Sequence, residues 1–282
     1  MRIIMLAALG FAVVAAAVAA SAAPNGYRVD WYVVSAGGGE MTGGSFKLNC
    51  TVAQPAAGSA TGTNLLHLIG FWVGEAAEPR VVPTIAEAKL LADGTFVSVA
   101  GMIATSDAGD FDGFFYVEDA GRASGIRVQM DPGAVAGLVR GSVVNVIGTL
   151  GTAANGERQF EGAVVIITAT ASPLAPVGMP NRSLGGSNWG APPLGQYGVL
   201  GGAGLNTVGL LVRCWGRVTA VGPGCVVIDD GSGPVRVDTS VLASPPPSGS
   251  YIGVVGISSI YAPESDRFKL LLPRDDADVV TH

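Results

Sequence analysis

Two stretches of the chain share one pattern of hydrophobic and polar positions. In the first stretch Val97 and Val99 alternate with small or polar residues, which is typical of a half-buried strand. Strands of this type are bracketed by glycines seven residues apart. These pairs are Gly94 and Gly101, Gly141 and Gly148, Gly209 and Gly216, and Gly249 and Gly256. Self-similarity over this length predicts two copies of one β-domain.

Each copy offers five strand candidates, and a glycine interrupts the first of them, as happens where a barrel strand bends or carries a bulge. The second candidate ends in an acidic pair followed by glycine, and Asp before Gly favours a tight turn. The turn residues are Glu118, Asp119 and Gly121 in the first copy, and Asp229, Asp230 and Gly231 in the second. Five strands with a curled first strand predict a small Greek-key barrel.

The predicted fold class is therefore all-β, with two small OB-like Greek-key barrels in tandem and a short three-stranded β segment before them. The strand candidates of that segment are residues 27–34, 45–52 and 65–74, separated by glycine-rich turns such as residues 37–39. A proline-flanked linker is predicted at residues 79–83. The predicted divisions are a signal peptide (1–23), the N-terminal β segment (24–78), OB-like domain 1 (85–170), a Pro/Gly-rich linker (172–206) and OB-like domain 2 (207–282).

The order of glycines, valines and the Phe115-Tyr-Val-Glu-Asp119 strand resembles OB-fold domains of bacterial exported proteins, including accessory modules of some extracellular nucleases. The resemblance covers residues 85–170 and 205–281. It implies binding of single-stranded nucleic acid or oligosaccharides on the face of strands two and three. One departure is that the connections at 130–140 and 239–248 leave little room for the helix usual there. The N-terminal segment is similar to a short segment that recurs near the start of many exported bacterial proteins.

The first residues have the layout of a secretory signal peptide. Arg2 supplies one positive charge, residues 3–20 are almost wholly apolar, and Ala20-Ser21-Ala22 offers the small residues that a signal peptidase reads. The alternative is a membrane anchor, because the run approaches the roughly 20 residues that a spanning helix needs. Cleavage would take the net charge from −6 to −7. We expect a secreted or extracytoplasmic bacterial protein with no stable membrane span after cleavage.

Catalytic chemistry is poorly represented. His67 and His282 are the only histidines, and no GxSxG elbow or P-loop is present. The chain is predicted to be no enzyme and to hold no cofactor or metal, although the acidic loop at residues 107–112 offers hard oxygens of the kind that bind Ca²⁺. The three cysteines are an odd set. Cys214 and Cys225 are interpreted either as a bridge between neighbouring strands or as small buried hydrophobes.

Binding therefore remains as the predicted role. The candidate ligand-binding residues are Phe114, Tyr116, Arg122 and Arg127 on the first barrel and Trp189 in the linker. The comparable residues of the second barrel are fewer, namely Arg236 with Arg213, Trp215 and Arg217.

Two roles stay open for these residues. The acidic balance opposes phosphate neutralisation, so an unidentified protein or glycan partner is the main prediction and nucleic-acid binding by the first barrel the alternative. Trp189 is interpreted either as an aromatic tucked against a barrel by a flexible spacer or as part of a binding loop.

Overall fold

The computed structural model describes residues 37–43, 46–52, 58–62, 65–69, 78–130 and 135–282. The chain divides into two compact units, residues 1–76 and 77–282. In the first unit β1 pairs with β2 and β3 with β4, both antiparallel. These strands are β1 (Gly37–Gly43), β2 (Phe46–Val52), β3 (Gly58–Gly62) and β4 (Leu65–Ile69).

The predicted strand at 45–52 contains β2, and the predicted strand at 65–74 begins with β4. The candidate at 27–34 lies outside the described residues. The prediction of a turn at residues 37–39 is wrong, because these glycines begin β1, where Gly37 pairs with Val52. A β-ladder is built from backbone N–H and C=O groups, so glycine can take part in it without a side chain.

The second unit contains the first barrel, which is closed by the pairing of its first and fourth strands. The strand order is β6-β7-β8-β10-β9, with β8 and β10 parallel and the other neighbours antiparallel. A short strand, β5, adds in parallel to β6. The elements are β5 (Arg80–Val81), α1 (Ile85–Lys89), β6 (Phe96–Ala104), β7 (Phe114–Glu118), β8 (Gly125–Gln129), β9 (Ser142–Thr152) and β10 (Arg158–Thr170).

The second barrel repeats this plan with the order β14-β15-β16-β18-β17, closed by β14 and β17. Its third and fifth strands, β16 and β18, are again parallel. The elements are β11 (Val177–Gly178), β12 (Trp189–Ala191), β13 (Leu194–Gln196), β14 (Leu211–Gly222), β15 (Cys225–Asp229), β16 (Pro234–Asp238), β17 (Tyr251–Tyr261), β18 (Phe268–Leu272) and β19 (Val279–Thr281), with 3-10 helices at Asn181–Ser183 and Asp276–Asp278. The predicted fold class is confirmed, with two closed five-stranded barrels of the same strand order.

The repeat extends further than the sequence pattern showed. Strand β11 pairs in parallel with β14, just as β5 does with β6. Residues 79–83, predicted as a linker, therefore contribute a strand to the first barrel. A two-residue strand is too short to show the alternation from which strands are predicted.

Helix α1 takes part in the first barrel's core, since Ile85 and Ala88 are both 0% exposed within it. Thr84 caps its N-terminus by accepting a hydrogen bond from the amide of Glu87. The connections between the third and fourth strands contain no helix over residues 135–141 and 239–248, as their shortness predicted. Helix α1 instead precedes β6, the first strand of the first barrel.

The segment at residues 172–206 is built into the fold, in contrast to the flexible spacer that its composition suggested. Gln196 is fully buried; its Oε1 accepts from the amide of Arg158 at 2.9 Å, and its Nε2 donates to the carbonyl of Gly156 at 3.0 Å. Both partners belong to the first barrel or its β9–β10 turn. Buried side-chain amides in proteins are nearly always hydrogen-bonded. The two hydrogen bonds of Gln196 attach the connecting segment to the first barrel.

Candidate ligand-binding surfaces

The aromatic face predicted on the first barrel is covered by the second barrel. Tyr116 is only 1% exposed and forms a buried cluster with Leu211 and Ile257, residues of β14 and β17. Phe114 packs against the same cluster, and the guanidinium of Arg127 lies 3.7 Å from the centre of its ring. The face that OB barrels commonly offer to ligands is therefore an internal interface in this chain.

Arg122 lies at the same interface. Its Nε donates to Glu118 at 3.1 Å, and its Nη2 donates to the carbonyl oxygen of Leu211 at 2.8 Å. Glu118 in turn accepts the amide of Leu211 at 2.5 Å. Burial raises the pKa of Glu118, and the hydrogen bond from Leu211 and the charge of Arg122 offset part of that rise. A predicted ligand residue thus joins a polar connection between the barrels.

The acidic turns of the two copies differ in their roles. In the second copy Asp229 accepts from the amide of Gly231 at 2.7 Å, as an Asp-Gly turn predicts. In the first copy the residue with positive φ is Arg122, at 60°, and Asp119 accepts from the amide of Ile85 at 3.0 Å. The first turn therefore holds α1 as well as the second barrel.

Glu157 is a buried hub of the interface that sequence reasoning missed. One oxygen accepts from the hydroxyl of Tyr116 at 2.7 Å, and the other accepts from Ser259 and, at 3.0 Å, from the amide of Ile260. Burial, together with the charge of Glu157, raises the pKa of Tyr116 well above its ordinary value, so the phenol stays protonated. In the sequence Glu157 follows Gly156 in an apparent turn, a position that gives no sign of burial.

Lys89, the last residue of α1, is also buried between the barrels. It is 2% exposed, and its Nζ donates to the carbonyl of Val208 at 2.9 Å. Burial lowers the pKa of Lys89 to about 7, although the nearby carboxylates of Glu157, Asp119 and Glu118 act in the opposite direction. The interface therefore contains a titratable group whose charge changes near neutral pH.

Trp189 lies apart from the other predicted residues. It is 40% exposed, and its indole Nε1 donates to the carbonyl of Ala86 in α1 at 3.3 Å. Four of the five candidates thus belong to the interface between the barrels, and the fifth rests against α1.

An uncovered face remains on the second barrel, where three adjacent strands point side chains outward. Along β14 the inward residues Val212, Cys214 and Val218 are buried, because side chains alternate across a strand. The alternate positions form what we call the Trp215 face: Arg213, Trp215 and Arg217 of β14, Tyr251 and Gly253 of β17, and Val280 of β19.

The Trp215 face exposes three large hydrophobic side chains beside a glycine. Trp215 is 49% exposed, Tyr251 61% and Val280 52%. In the register Trp215 is opposite Gly253, which is in turn opposite Val280. A Cβ at Gly253 would meet only the imidazole of His282, at 3.5 Å. Trp215 therefore has no side chain opposite it on β17, and the imidazole of His282 lies beside the position that such a side chain would take.

The arginines of this face are available to a ligand. Within residues 78–130 and 135–282, neither Arg213 nor Arg217 forms an ion pair. Arg217 makes one long hydrogen bond, 3.4 Å, to the carbonyl of Gly249. Its register neighbour Asp229 uses a carboxylate oxygen for the amides of Gly231 and Gly233. An exposed indole therefore lies between two arginines that form no ion pair with the described residues.

Metal and thiol chemistry find little support in the described residues. They contain no group of three or more His, Cys, Asp or Glu placed to hold a metal ion. In the acidic loop considered for Ca²⁺, Asp107 and Asp110 bind Arg140, which also bridges to Asp275 at 2.8 Å.

Cys214 and Cys225 are both buried free thiols. Burial raises the pKa of the Cys214 thiol to about 12, so it stays protonated at neutral pH. Over the described part of the chain, no helix has the length and apolar character required to cross a membrane.

Comparisons with known proteins give likeness only at the level of solved structures. No protein-family model matches the chain, and no curated protein sequence matches it significantly. A murine DNA-binding protein bound to double-stranded DNA is 10% identical, with 63% of this chain and 91% of that chain covered and a TM-score of 0.34.

Two further structures are similar. The HINa domain of Ifi202 in complex with a 20-bp double-stranded DNA is 10% identical, covers 68% of this chain and 97% of that chain, and has a TM-score of 0.32. The tetrameric p202 HIN2 is 13% identical, the match covers 68% of this chain and 95% of that chain, and the TM-score is 0.31. Superpositions at these scores carry no functional argument, and the strand order described above is what identifies both barrels as OB folds.

Proposed function

We propose that the protein is an exported, non-catalytic binding module in which the first barrel supports the second and the second barrel binds single-stranded nucleic acid on the Trp215 face. The observation that carries this proposal is the exposed indole of Trp215 between two arginines that form no ion pair with described residues. The nucleic-acid function that the sequence suggested for the first barrel is thereby moved to the second.

The chemistry of the face suits bases and phosphates together. Base stacking on an aromatic side chain contributes about 1–3 kcal/mol per base and tolerates any sequence. Trp215 lies opposite Gly253, which has no side chain to cover the indole, and Tyr251 offers a second ring on the neighbouring strand. Arg213 and Arg217 flank the indole on one strand, where they can contact successive phosphates of an extended backbone.

The negative net charge of the chain does not exclude this role. Exposed charges farther apart than about 8 Å are largely screened at physiological ionic strength. Binding therefore depends on the local pair of arginines more than on the total of −6. Two phosphate contacts predict a weak salt dependence, with a slope of log K against log salt near −1.4 for a single strand.

Fluorescence anisotropy of a labelled oligo-dT of roughly 16 nucleotides tests the proposal. We expect binding by the full chain at low salt, a loss of about tenfold or more in Trp215→Ala, and a flattened salt dependence in the double variant Arg213→Ala/Arg217→Ala. Trp189→Ala and Arg80→Ala are the matched controls, since both residues are exposed elsewhere in the same unit. No anisotropy change with the full chain at low salt, or equal losses in the controls, contradicts the proposal.

Export is the part of the proposal that rests on the leader at residues 1–23. The mass of the protein recovered from outside the cytoplasm checks it. A cleaved chain beginning at residue 23 or 24 is expected, and an intact leader on a protein retained in the cytoplasm is the contrary result.

A further inference from the structure

A second, chemically different surface lies between the connecting segment and the β17–β18 loop of the second barrel. It is a groove of about 370 Å³, within the range of small-molecule sites. Its polar and aromatic lining comprises Ser187, Asn188, Tyr197, Ser265, Asp266 and Arg267. We call it the Tyr197 groove. None of its residues belongs to the Trp215 face.

The guanidinium of Arg267 is held in a fixed position in this groove. It lies 3.7 Å from the centre of the Tyr197 ring. Gly156, in the β9–β10 turn of the first barrel, also approaches this side chain, so closely that a Cβ there would be 2.5 Å from Nε. The Nε atom is buried and has no hydrogen-bond partner among the described residues. Contact with the ring of Tyr197 and with the turn at Gly156 therefore positions the guanidinium donors before any ligand binds.

The walls of the groove are joined by backbone hydrogen bonds. The amide of Leu200 donates to the carbonyl of Arg267 at 2.7 Å, which ties the connecting segment to the loop of the second barrel. The amide of Gly198 donates to Oδ1 of Asn188 at 2.8 Å, so the Nδ2 group of that side chain is left for a ligand. A groove fixed in this way avoids part of the ordering cost of binding.

The lining carries both signs of charge together with neutral polar groups. Asp266 is exposed and accepts no hydrogen bond from another described residue, while Arg267 and Asn188 offer donors. A carboxylate beside the guanidinium disfavours a polyanion, because like charges repel and the positive charge is locally balanced. Paired donors and acceptors next to an aromatic ring suit the hydroxyl groups of a neutral sugar.

From this arrangement we propose that the Tyr197 groove binds a neutral saccharide, with Asp266 and Arg267 hydrogen-bonding vicinal hydroxyl groups and Tyr197 forming the apolar wall. The volume accommodates one or two sugar rings. The site does not depend on nucleic-acid binding by the Trp215 face, and together they would give the chain two ligand surfaces of different chemistry.

Saturation-transfer NMR on the full chain tests the proposal with four neutral disaccharides: chitobiose, cellobiose, maltose and galactobiose. We expect saturation transfer to at least one of them, weakened about tenfold or more in Asp266→Ala. Glu264→Ala is the matched control, because Glu264 is an exposed acid in the same loop that does not line the groove. Arg267→Lys keeps the charge but loses the planar donors, and it is expected to weaken binding as well.

Four results would overturn the inference. These are no transfer to any of the four disaccharides, transfer only to the anionic sugar glucuronate, equal loss in Glu264→Ala, and unchanged binding in Asp266→Ala. Trp215→Ala should leave saccharide binding unchanged, so failure of the saccharide site and failure of the nucleic-acid face are distinguishable.

Discussion

The two barrels share one strand order but carry their aromatic side chains on different faces, one covered and one exposed. In the first barrel the face of strands two and three, with Phe114 and Tyr116, is covered by its neighbour. In the second barrel the outer face of β14 and β17 is uncovered and carries Trp215 and Tyr251. Duplication has thus preserved the topology while the two copies diverged in surface chemistry.

The first strands show this divergence position by position. When the copies are aligned on Gly101 and Gly216, Ser98 and Ala100 of the first barrel correspond to Arg213 and Trp215 of the second. The inward positions between them remain small and apolar in both copies, because they fill barrel interiors of the same size. A repeat therefore identifies a shared core more reliably than it identifies a shared ligand site.

The tight apposition of the barrels can be broken at a contact between two glycines. A Cβ at Gly125 would lie 2.2 Å from the carbonyl oxygen of Gly209, so Gly125→Ala must separate the two main chains. We expect a loss of about 3 kcal/mol in the free energy of unfolding and a split of the urea-unfolding curve into two transitions.

Gly121→Ala is the control for that measurement, since a Cβ at Gly121 would meet no atom within 4 Å. It should unfold with the wild-type midpoint. Unchanged stability in Gly125→Ala would mean that the barrels are not held together by this contact.

The contribution of the interface between the barrels can also be tested through the pH dependence of the free energy of unfolding. The pKa of Lys89 is lowered from 10.5 to about 7 by burial in the folded protein, so between these values the unfolded chain binds more protons than the folded one. Stability should therefore rise as the pH increases from about 7 toward 10, by an amount on the order of a few kcal/mol. The measurement is the urea midpoint at a series of pH values.

Lys89→Met removes the titrating group and should flatten this rise. Tyr116, whose pKa is raised, opposes the trend only above its ordinary pKa of 10.0, because ionisation is then favoured in the unfolded state. Cys214, whose pKa is raised from 9.0 to about 12, opposes the trend above pH 9, and Lys269, whose pKa is lowered, acts in the same direction as Lys89. The difference between the midpoints of the wild type and of Lys89→Met from pH 7 to 9 therefore reports on Lys89. A wild-type curve as flat as that of the variant would show that the lysine stays protonated when buried.

The smallest expected effect on stability comes from transferring the second barrel's surface to the first. Ser98→Arg/Ala100→Trp places the Arg–Trp pair on β6, where Ala100 is exposed, and surface changes of this kind usually alter stability by less than about 0.5 kcal/mol. If the pair is sufficient for nucleic-acid binding, the variant should bind oligo-dT more tightly in the anisotropy assay. Unchanged affinity would show that Gly253 opposite the indole, or the ring of Tyr251, is also required.

Sequence reasoning recovered the barrels because their strands leave long-range regularities. Alternating positions such as Val97 and Val99 and the repeated glycine pairs extend over most of residues 85–281. Strand β5 and the strand at Gly37–Gly43 were missed for opposite reasons. The first has only two residues, and the second is rich in glycine, which by composition alone indicates a turn.

Candidate ligand-binding residues were harder to predict because a strand pattern shows which positions point outward but not what covers them. Phe114, Tyr116 and Arg127 were interpreted as a ligand face, and the structure covers that face with residues about 90 to 140 positions away in the chain. Glu157 was missed because a carboxylate in a turn is ordinarily solvated. Its burial depends on partners supplied by the other barrel.

The contact between Gly125 and Gly209 links two distant positions in the evolution of the chain. The carbonyl group of each glycine occupies the space that a side chain on the other would need, since a Cβ at Gly209 would in turn meet the carbonyl oxygen of Gly125 at 2.5 Å. A homologue with a larger residue at either site cannot keep this docking. The residues at these two positions would therefore indicate whether a distant homologue holds its barrels as one rigid unit or as two domains that do not dock against each other.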